Sequence, residues 1–236
     1  SLAHHNPAAN GRSVCEIMGA YGWSAGLACI RSLFNFFMAN GINHFVPHAF
    51  SMVAPLCFKG LDTHSDSDME TLPPGYSMTY LPPTFHGCGF NPQYKQFTNI
   101  VSHVQRVCHL LSQGTHRPDV AVYYTAEPDW IGCNSQSFDD VNMALTRGGY
   151  DFDILSSDMF FANCQVKAKR LLADGESYGA LILPMSELMP RKILTKLQEF
   201  AAAGLPVIFT DALPSGCDRS GEDIAALLKN IHTVPT

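Results

Sequence analysis

One carboxylate, Glu16, stands at the end of a short apolar run, directly before a turn rich in glycine and aromatic residues, in the stretch CEIMGAYGW. In barrels of parallel strands, catalytic groups project from the carboxyl ends of the strands. A carboxylate placed there can act as a nucleophile or base toward the anomeric carbon of a sugar, and Tyr21 and Trp23 can stack on the sugar ring. The alternative for Glu16 is a strand-end acid that pairs with a neighbouring arginine.

Polar residues also accompany the next predicted strand, in the run INHFVPHAFS. Asn43 alternates with apolar residues, and His48 and Ser51 follow the strand. Because the carboxyl ends of parallel strands meet at one edge, we expect His48 and Ser51 to face the same opening as Glu16. Asn43, His48 and Ser51 are therefore candidate ligands for sugar hydroxyls. The alternative for a histidine here is a side chain whose hydrogen bonds only stabilise the fold.

A third candidate segment is YYTAEPDWIG, residues 123–132, which follows the first predicted strand of the second half. Ligands of open α/β sheets bind at this carboxyl edge. The chain has no G-x-G-x-x-G, no P-loop and no Ser/Thr-rich turn for a flavin phosphate, so no cofactor is expected. We expect Glu127 and Trp130 to face a sugar site or a neighbouring subunit. An amidotransferase is disfavoured because no cysteine follows the strand ALILP.

The long stretch 48–92 has no sustained periodicity and is rich in proline and glycine, which favours an ordered loop that covers a site. The alternative is a loop that packs between the two domains. Its acidic residues lack the spacing of a calcium-binding hand and are interpreted as a solvated face; they are Asp62, Asp66, Asp68 and Glu70. The eight cysteines form no C-x-x-C pair, which disfavours a zinc ribbon and favours reduced thiols. No metal site is therefore expected.

Composition limits the classes of partner. Hydrophobic residues make up 46% of the 236 residues, enough for a packed core. The 15 Lys and Arg residues are scattered and the net charge is −6, which argues against nucleic acid as a partner. No apolar run reaches the roughly 18 residues of a membrane span, so no membrane partner is expected. The chain starts at Ser1 without a signal peptide, and we expect it to belong to a longer protein.

The predicted elements fall into two groups. Strands are predicted over 12–18, 42–47, 119–125, 152–155, 180–184 and 206–210, and helices over 24–39, 93–113, 138–148, 189–203 and 221–230. The first group is a β-α-β unit with parallel strands, followed by an amphipathic helix. The second alternates strand and helix, which predicts a doubly wound α/β domain. A turn or hairpin is expected at LLADGESY and a loop at 126–137. The run IHTVPT stops after a helix-like segment, where a further strand would be expected.

The order of the motifs resembles a known class of enzymes. CEIMGAYGW, a helix and GINHFVPHAFS are followed by LPPTF (81–85), NPQY (91–94) and LLSQG (110–114). Together they resemble the seventh and eighth strand regions of clan A-like glycoside hydrolases, and more closely a group of bacterial β-galactosidase-like or α-L-rhamnosidase-like glycosidases. The resemblance continues through DVAVYYTAEPDWIG to ALILP and covers nearly the whole chain.

The resemblance implies an α/β fold in which 1–116 form the terminal β/α units of a TIM barrel. Residues 117–236 would form a flavodoxin-like or class I glutaminase-like domain, truncated at its C-terminus. Glu16 would be the catalytic carboxylate of strand seven, in a fragment of a glycoside hydrolase that cleaves O-glycosidic bonds in a carbohydrate substrate. The second carboxylate that glycosidases need would lie on an earlier strand outside this chain, so the fragment alone should be inactive.

A second hypothesis makes the chain a non-catalytic module. Two barrel strands do not close a barrel, and the chain offers no second carboxylate that converges on Glu16. The module would bind carbohydrate or form a homo-oligomer through its α/β domain. The retaining or inverting outcome depends on the distance to a carboxylate that this sequence does not contain.

Overall fold

The computed structural model describes residues 1–19, 25–48, 93–219, 221 and 223–235. The chain divides into two compact units, Gly11–Gly114 and a C-terminal unit made of Ser1–Asn10 with Thr115–Thr236. The first ten residues therefore group with the C-terminal unit, although the domain prediction placed 1–116 together. Side-chain hydrogen bonds attach these residues to the C-terminal unit. His4 donates from Nδ1 to Asp153 Oδ1 at 2.8 Å, and His5 Nε2 lies 2.9 Å from the Tyr178 hydroxyl.

The helices of the described residues are α1 (Leu2–His5), α2 (Leu27–Ala39), α3 (Tyr94–Leu111), α4 (Ala126–Ile131), α5 (Phe138–Arg147), α6 (Ser157–Ala162), α7 (Arg191–Ala202) and α8 (Ile224–Leu227). The strands are β1 (Val14–Ile17), β2 (His44–Pro47), β3 (Val120–Tyr123), β4 (Phe152–Leu155), β5 (Gln165–Lys167), β6 (Arg170–Ala173), β7 (Glu176–Tyr178), β8 (Ala180–Leu183), β9 (Val207–Thr210) and β10 (His232–Val234). None of these helices combines the length and apolarity that crossing a membrane requires.

In the first unit, β1 and β2 pair in parallel, with Glu16 opposite Val46 and Ile17 opposite Pro47. Helix α2 connects the two strands, because parallel neighbours need a crossover rather than a hairpin. The predicted β-α-β unit is therefore confirmed. The register brings the carboxyl ends of both strands to the same edge.

The core of this unit lies where α2 and α3 pack against the strands. Its buried members are Ile17, Met18, Ile30, Phe34, Met38, Phe97 and Val104. Phe34 is 2% exposed, and its ring meets Phe45 of β2 edge to face at a centroid distance of 5.0 Å. Burying a side chain of this size stabilises the folded state by roughly 1.5–3 kcal/mol. The apolar core beneath the two strands therefore fixes the position of their ends.

The C-terminal unit is organised around a five-stranded sheet in the order β10-β9-β8-β3-β4, with every neighbouring pair parallel. Strands β3 and β8 are largely buried, with Ala121, Val122, Tyr123, Leu181 and Leu183 at 0% exposure. Continuous apolar strands of this kind occur where helices cover both faces of a sheet. An α/β class with parallel sheets is thus confirmed.

An antiparallel sheet, β5-β6-β7, interrupts this alternation. The predicted hairpin at LLADGESY is confirmed: β6 and β7 are joined by Asp174 and Gly175, whose φ angles are +49° and +95°. Positive φ at both central residues matches a type I′ hairpin, for which Asp-Gly is a preferred pair. Strand β5 was not predicted, because the turn before β6 places Ala168 and Lys169 at positive φ, and these residues give no turn signal.

Two other predictions were wrong in detail. Residues 126–131, expected as loop, form the short helix α4. The helix expected over 221–230 is reduced to α8, where Asp223 caps the start by accepting from the Ala226 N–H at 3.1 Å. Strand β10, which pairs with β9, was not predicted, because the closing residues were interpreted as the point where the chain stops before a further strand.

Candidate functional site

The carboxyl ends of β1 and β2 bring Glu16 and His48 together. Glu16 Oε1 lies 3.8 Å from His48 Nε2, an ion-pair distance when the imidazole is protonated and slightly too long for a hydrogen bond. The His48 backbone N–H donates to the Ile17 carbonyl at 2.7 Å, which continues the parallel ladder by one residue. The backbone, and not the side chains alone, therefore sets the separation of the two groups.

An open cavity of about 490 Å³ lies at this edge. Its described lining consists of Glu16, Ile17, Met18, Gly19, Leu33, Phe37 and His48. Volumes of 300–1,000 Å³ are usual for small-ligand sites, and such sites combine apolar walls with a few polar groups. A single sugar ring fits this size, with one carboxylate and one imidazole for its polar atoms.

Met18 shapes the end of β1. Its φ is +70°, in the left-handed region, and its side chain is only 1% exposed. A non-glycine residue in this conformation costs of order 1–3 kcal/mol and persists only where its surroundings enforce it. Here the surroundings are the α2–α3 core, so the packing of Met18 turns the backbone two residues after Glu16. A single sequence carries no signal for such a position.

The face of the sheet that carries Glu16 is open in the described structure. The Glu16 side chain is 64% exposed, and Val14, two residues earlier on the same face, is 59% exposed. Val46, the partner of Glu16 on β2, is 49% exposed. Cys15 and Ile17 alternate with these residues and turn to the helix side, where Ile17 is buried. The carboxylate thus shares an uncovered face with two valines.

Asn43 lies at the opposite end of the two strands. Its Oδ1 accepts from the Ser13 N–H at 2.9 Å, and its Nδ2 donates to the Gly11 carbonyl at 2.8 Å. The residue is 7% exposed. These bonds tie the entry of β1 to the entry of β2, and they support a structural role for Asn43.

Three other candidates, Tyr21, Trp23 and Ser51, lie outside the described residues, as does the stretch 49–92 with its acidic group. Their proposed contacts with a sugar stay predictions.

Glu127 and Trp130 belong to the C-terminal unit, on α4. Glu127 Oε2 accepts from the Tyr123 hydroxyl at 3.1 Å, and Oε1 accepts from the Ser157 hydroxyl. Burial raises the pKa of Tyr123, so its hydroxyl remains a donor at neutral pH. The carboxylate of Glu127 is therefore occupied by internal bonds. Trp130 is 81% exposed, and its neighbour Ile131 is 67% exposed, so the indole presents an open apolar surface.

A family model described as alpha-L-rhamnosidase, that of glycoside hydrolase family 106, matches residues 11–233. The chain belongs to this family. The match runs through both units and includes Glu16, His48 and the exposed Trp130.

Among relatives of this family 106 chain is a protein of Formosa agariphila named "Putative beta-glucuronidase", 25% identical over 218 residues. The alignment covers 88% of this chain and 16% of that protein. A solved rhamnosidase from Novosphingobium sp. PP1Y matches with a TM-score of 0.59 and 15% identity, covering 97% of this chain and 20% of the other. The likeness to that rhamnosidase concerns the fold. The family 106 chain thus spans about a fifth or less of the length of these two proteins.

Proposed function

We propose that this chain supplies one catalytic carboxylate, Glu16, to a glycoside hydrolase that cleaves an O-glycosidic bond. The observation that carries the proposal is the pairing of Glu16 with His48 at the carboxyl ends of adjacent parallel strands, over a cavity of about 490 Å³. Membership of family 106 gives the class of reaction. Glu16 either attacks the anomeric carbon as a nucleophile or acts as the base that activates a water molecule to attack it. His48 orients the Glu16 carboxylate or a sugar hydroxyl.

The partner carboxylate comes from another part of the enzyme. Glycosidases of this type use two carboxyl groups, one as general acid and one as nucleophile or base. The described cavity lining offers Glu16 alone. We therefore assign the general acid to strands outside this chain.

The substrate we propose is an α-L-rhamnoside. The family description names that activity, and Ile17, Leu33 and Phe37 give the cavity apolar walls that suit the methyl group of a 6-deoxy sugar. A β-glucuronide is the competing substrate, because a relative carries that name. Its carboxylate would need a cationic partner, and His48 is the single basic side chain among the described lining residues.

We also propose that the first unit is the end of a TIM barrel and that the C-terminal unit is a flavodoxin-like domain. The parallel β1–β2 pair and its exposed Val14 and Val46 are what the last strands of a TIM barrel would present if earlier strands completed the lumen. In the C-terminal unit, numbering the parallel strands by chain order gives 2-1-3-4-5 across the sheet, which supports a flavodoxin-like domain. The glutaminase-like relationship is part of the same proposal.

A second candidate function, carbohydrate binding or homo-oligomerisation through the α/β domain, is favoured by the exposed indole of Trp130. Exposed aromatic rings of this size are enriched in contact surfaces. Replacing Trp130 with alanine should then lower the molar mass in light scattering or weaken retention on a polysaccharide column. An unchanged mass and unchanged retention would exclude this role.

The catalytic proposal is tested in the intact enzyme that contains this chain. Glu16→Gln keeps the side chain's size and removes its charge, and Glu199→Gln is the matched control on the exposed part of α7. Hydrolysis of an aryl α-L-rhamnoside should fall by about 10²–10⁴-fold in kcat for the first variant and stay unchanged for the second. Full activity of Glu16→Gln would refute the assignment, and preference for an aryl β-glucuronide would overturn the substrate.

A further inference from the structure

A cluster of histidines surrounds one buried carboxylate in the C-terminal unit. Asp153, on β4, has a side chain with 0% exposure. His4 of α1 donates to its Oδ1 at 2.8 Å, and His116 Nδ1 lies 3.4 Å from its Oδ2. The rings of His4 and His116 stack at a centroid distance of 3.8 Å. Two imidazoles from separate segments thus converge on one carboxylate.

The hydrogen bonds of His116 fix which of its nitrogens carries a proton in the neutral ring. Its Nε2 lies 2.9 Å from Asp151 Oδ2, and an ionised carboxylate only accepts, so Nε2 carries the hydrogen. The buried Nδ1 has no hydrogen-bond partner among the described residues. In the neutral ring its lone pair faces Asp153 at 3.4 Å and the Glu176 carboxylate at 3.9 Å. A proton on Nδ1 or a cation between these groups would remove the repulsion, and the Ser1 ammonium, 3.6 Å from Asp153 Oδ1, already faces the other oxygen of that carboxylate.

The spacing suits a metal ion as that cation. One ligand atom from each of His4, His116 and Asp153 can be chosen so that all lie within 4.8 Å of one another. Ligands of a tetrahedral zinc ion at about 2.0–2.1 Å are about 3.3 Å apart, so the rings of His4 and His116 would rotate out of their stack to bring both lone pairs to the ion. We propose that His4, His116 and Asp153 bind a divalent cation of the zinc type.

The surrounding residues strengthen the assignment. Histidine ligands commonly donate their second nitrogen to a carboxylate, which orients the ring, and Asp151 accepts from His116 in this way. The Tyr178 hydroxyl donates to Asp153 Oδ2 at 3.1 Å and holds the carboxylate in place. The Glu176 carboxylate, 3.9 Å from His116 Nδ1, adds negative charge beside the cluster. Imidazole with carboxylate favours zinc and its neighbours, whereas calcium and magnesium prefer oxygen ligands.

The ion would have a structural effect beyond the proposed catalysis. It would join α1, the segment before β3, and β4, which are distant in the sequence. Imidazole binds a metal ion only as the neutral ring, so ligation through His4 Nδ1 would place that ring's hydrogen on Nε2, and binding would weaken in acid. This site was not predicted, because its ligands do not form a short motif.

The test is calorimetric titration of the chain, purified without a histidine tag, with zinc chloride, and absorption spectroscopy with cobalt(II). We expect one equivalent to bind and cobalt to give visible d–d bands. His4→Ala and His116→Ala should lose about 100-fold or more in affinity, and Asp151→Asn about 10–100-fold. His232→Ala, at an exposed histidine of the same unit, is the control and should bind like the parent chain.

Circular dichroism establishes that each variant is folded, and Asp151 is 62% exposed, so its replacement should leave the fold intact. The proposal is overturned if the folded parent chain binds no zinc saturably. It is also overturned if the His4, His116 and Asp151 variants bind as tightly as the parent, because the ion then lies elsewhere. Saturable binding of calcium in preference to zinc would contradict the assigned class of metal.

Discussion

Glu16 and His48 face each other across two parallel strands, with carboxylate oxygen and imidazole nitrogen 3.8 Å apart. Because the ladder continues from Ile17 to the His48 N–H, the separation depends on the backbone register. A substitution at either side chain should therefore change chemistry while leaving the fold in place.

The first prediction concerns His48. If His48 orients Glu16 as proposed, His48→Gln in the longer protein should lower kcat for an aryl α-L-rhamnoside by about tenfold or more, because the imidazole is lost. Steady-state kinetics measure the effect, with the exposed His44→Gln as control. Equal kcat and KM in His48→Gln and the parent enzyme would remove His48 from the site.

The second prediction concerns the core beneath the site. Phe34→Ala should destabilise the protein by about 3–5 kcal/mol, because it leaves a cavity between α2 and the strands. Phe36→Ala, on the same helix but 60% exposed, should change stability by about 0.5 kcal/mol or less. Urea denaturation followed by circular dichroism compares the two. Equal losses would mean that α2 does not pack through the Phe34 face.

The third prediction concerns thiol reactivity. Burial, and then the charge of Asp174, raise the pKa of Cys164 to about 12, so this thiol stays protonated near pH 8. Cys29 is exposed. Iodoacetamide at pH 8 should modify Cys29 in the folded chain and Cys164 only after denaturation, as mass spectrometry of tryptic peptides would reveal. Ionisation of Cys164 also favours unfolding, so its stabilising contribution should decline as the pH rises from about 9 toward 12. Rapid alkylation of Cys164 in the folded chain would contradict its burial.

The fourth prediction uses the two hairpin turns of the antiparallel sheet. Gly175→Ala should destabilise the chain by about 1 kcal/mol or more, because φ is +95° there. Lys169→Gly should act in the opposite direction, since Lys169 has a φ of +62° that glycine adopts without strain. Thermal unfolding measures both. Equal thermal stability of Gly175→Ala and the parent chain would contradict the strained turn.

Sequence patterns predicted regular elements well where local propensity and burial agree. FDIL was predicted as a strand over 152–155 and forms β4 with those bounds. The patterns were misleading where local signals are weak or conflict with tertiary structure. Strand β5 follows no turn motif, and α4 is a single short helix that contains Pro128.

The candidate site, too, was predictable only where local sequence patterns determine the structure. The approach of Glu16 and His48 was predictable because parallel strands align their carboxyl ends. The structural role of Asn43, which bonds to Ser13 and Gly11, was not predictable. Alternation along a strand does not say which end of the strand faces a ligand. The strained Met18 and the Asp153 cluster depend on contacts between distant segments, which one sequence does not display.

In the described structure, β1 and β2 pair only with each other. Each strand therefore keeps one edge of unpaired backbone N–H and C=O groups, beside a face where Val14 and Val46 are exposed. Such edges recruit strands from other molecules, and two-stranded sheets are marginal in water. Segment 11–114 produced by itself should consequently self-associate into β-rich aggregates. Solubility would then decide which pieces of this protein can be expressed separately.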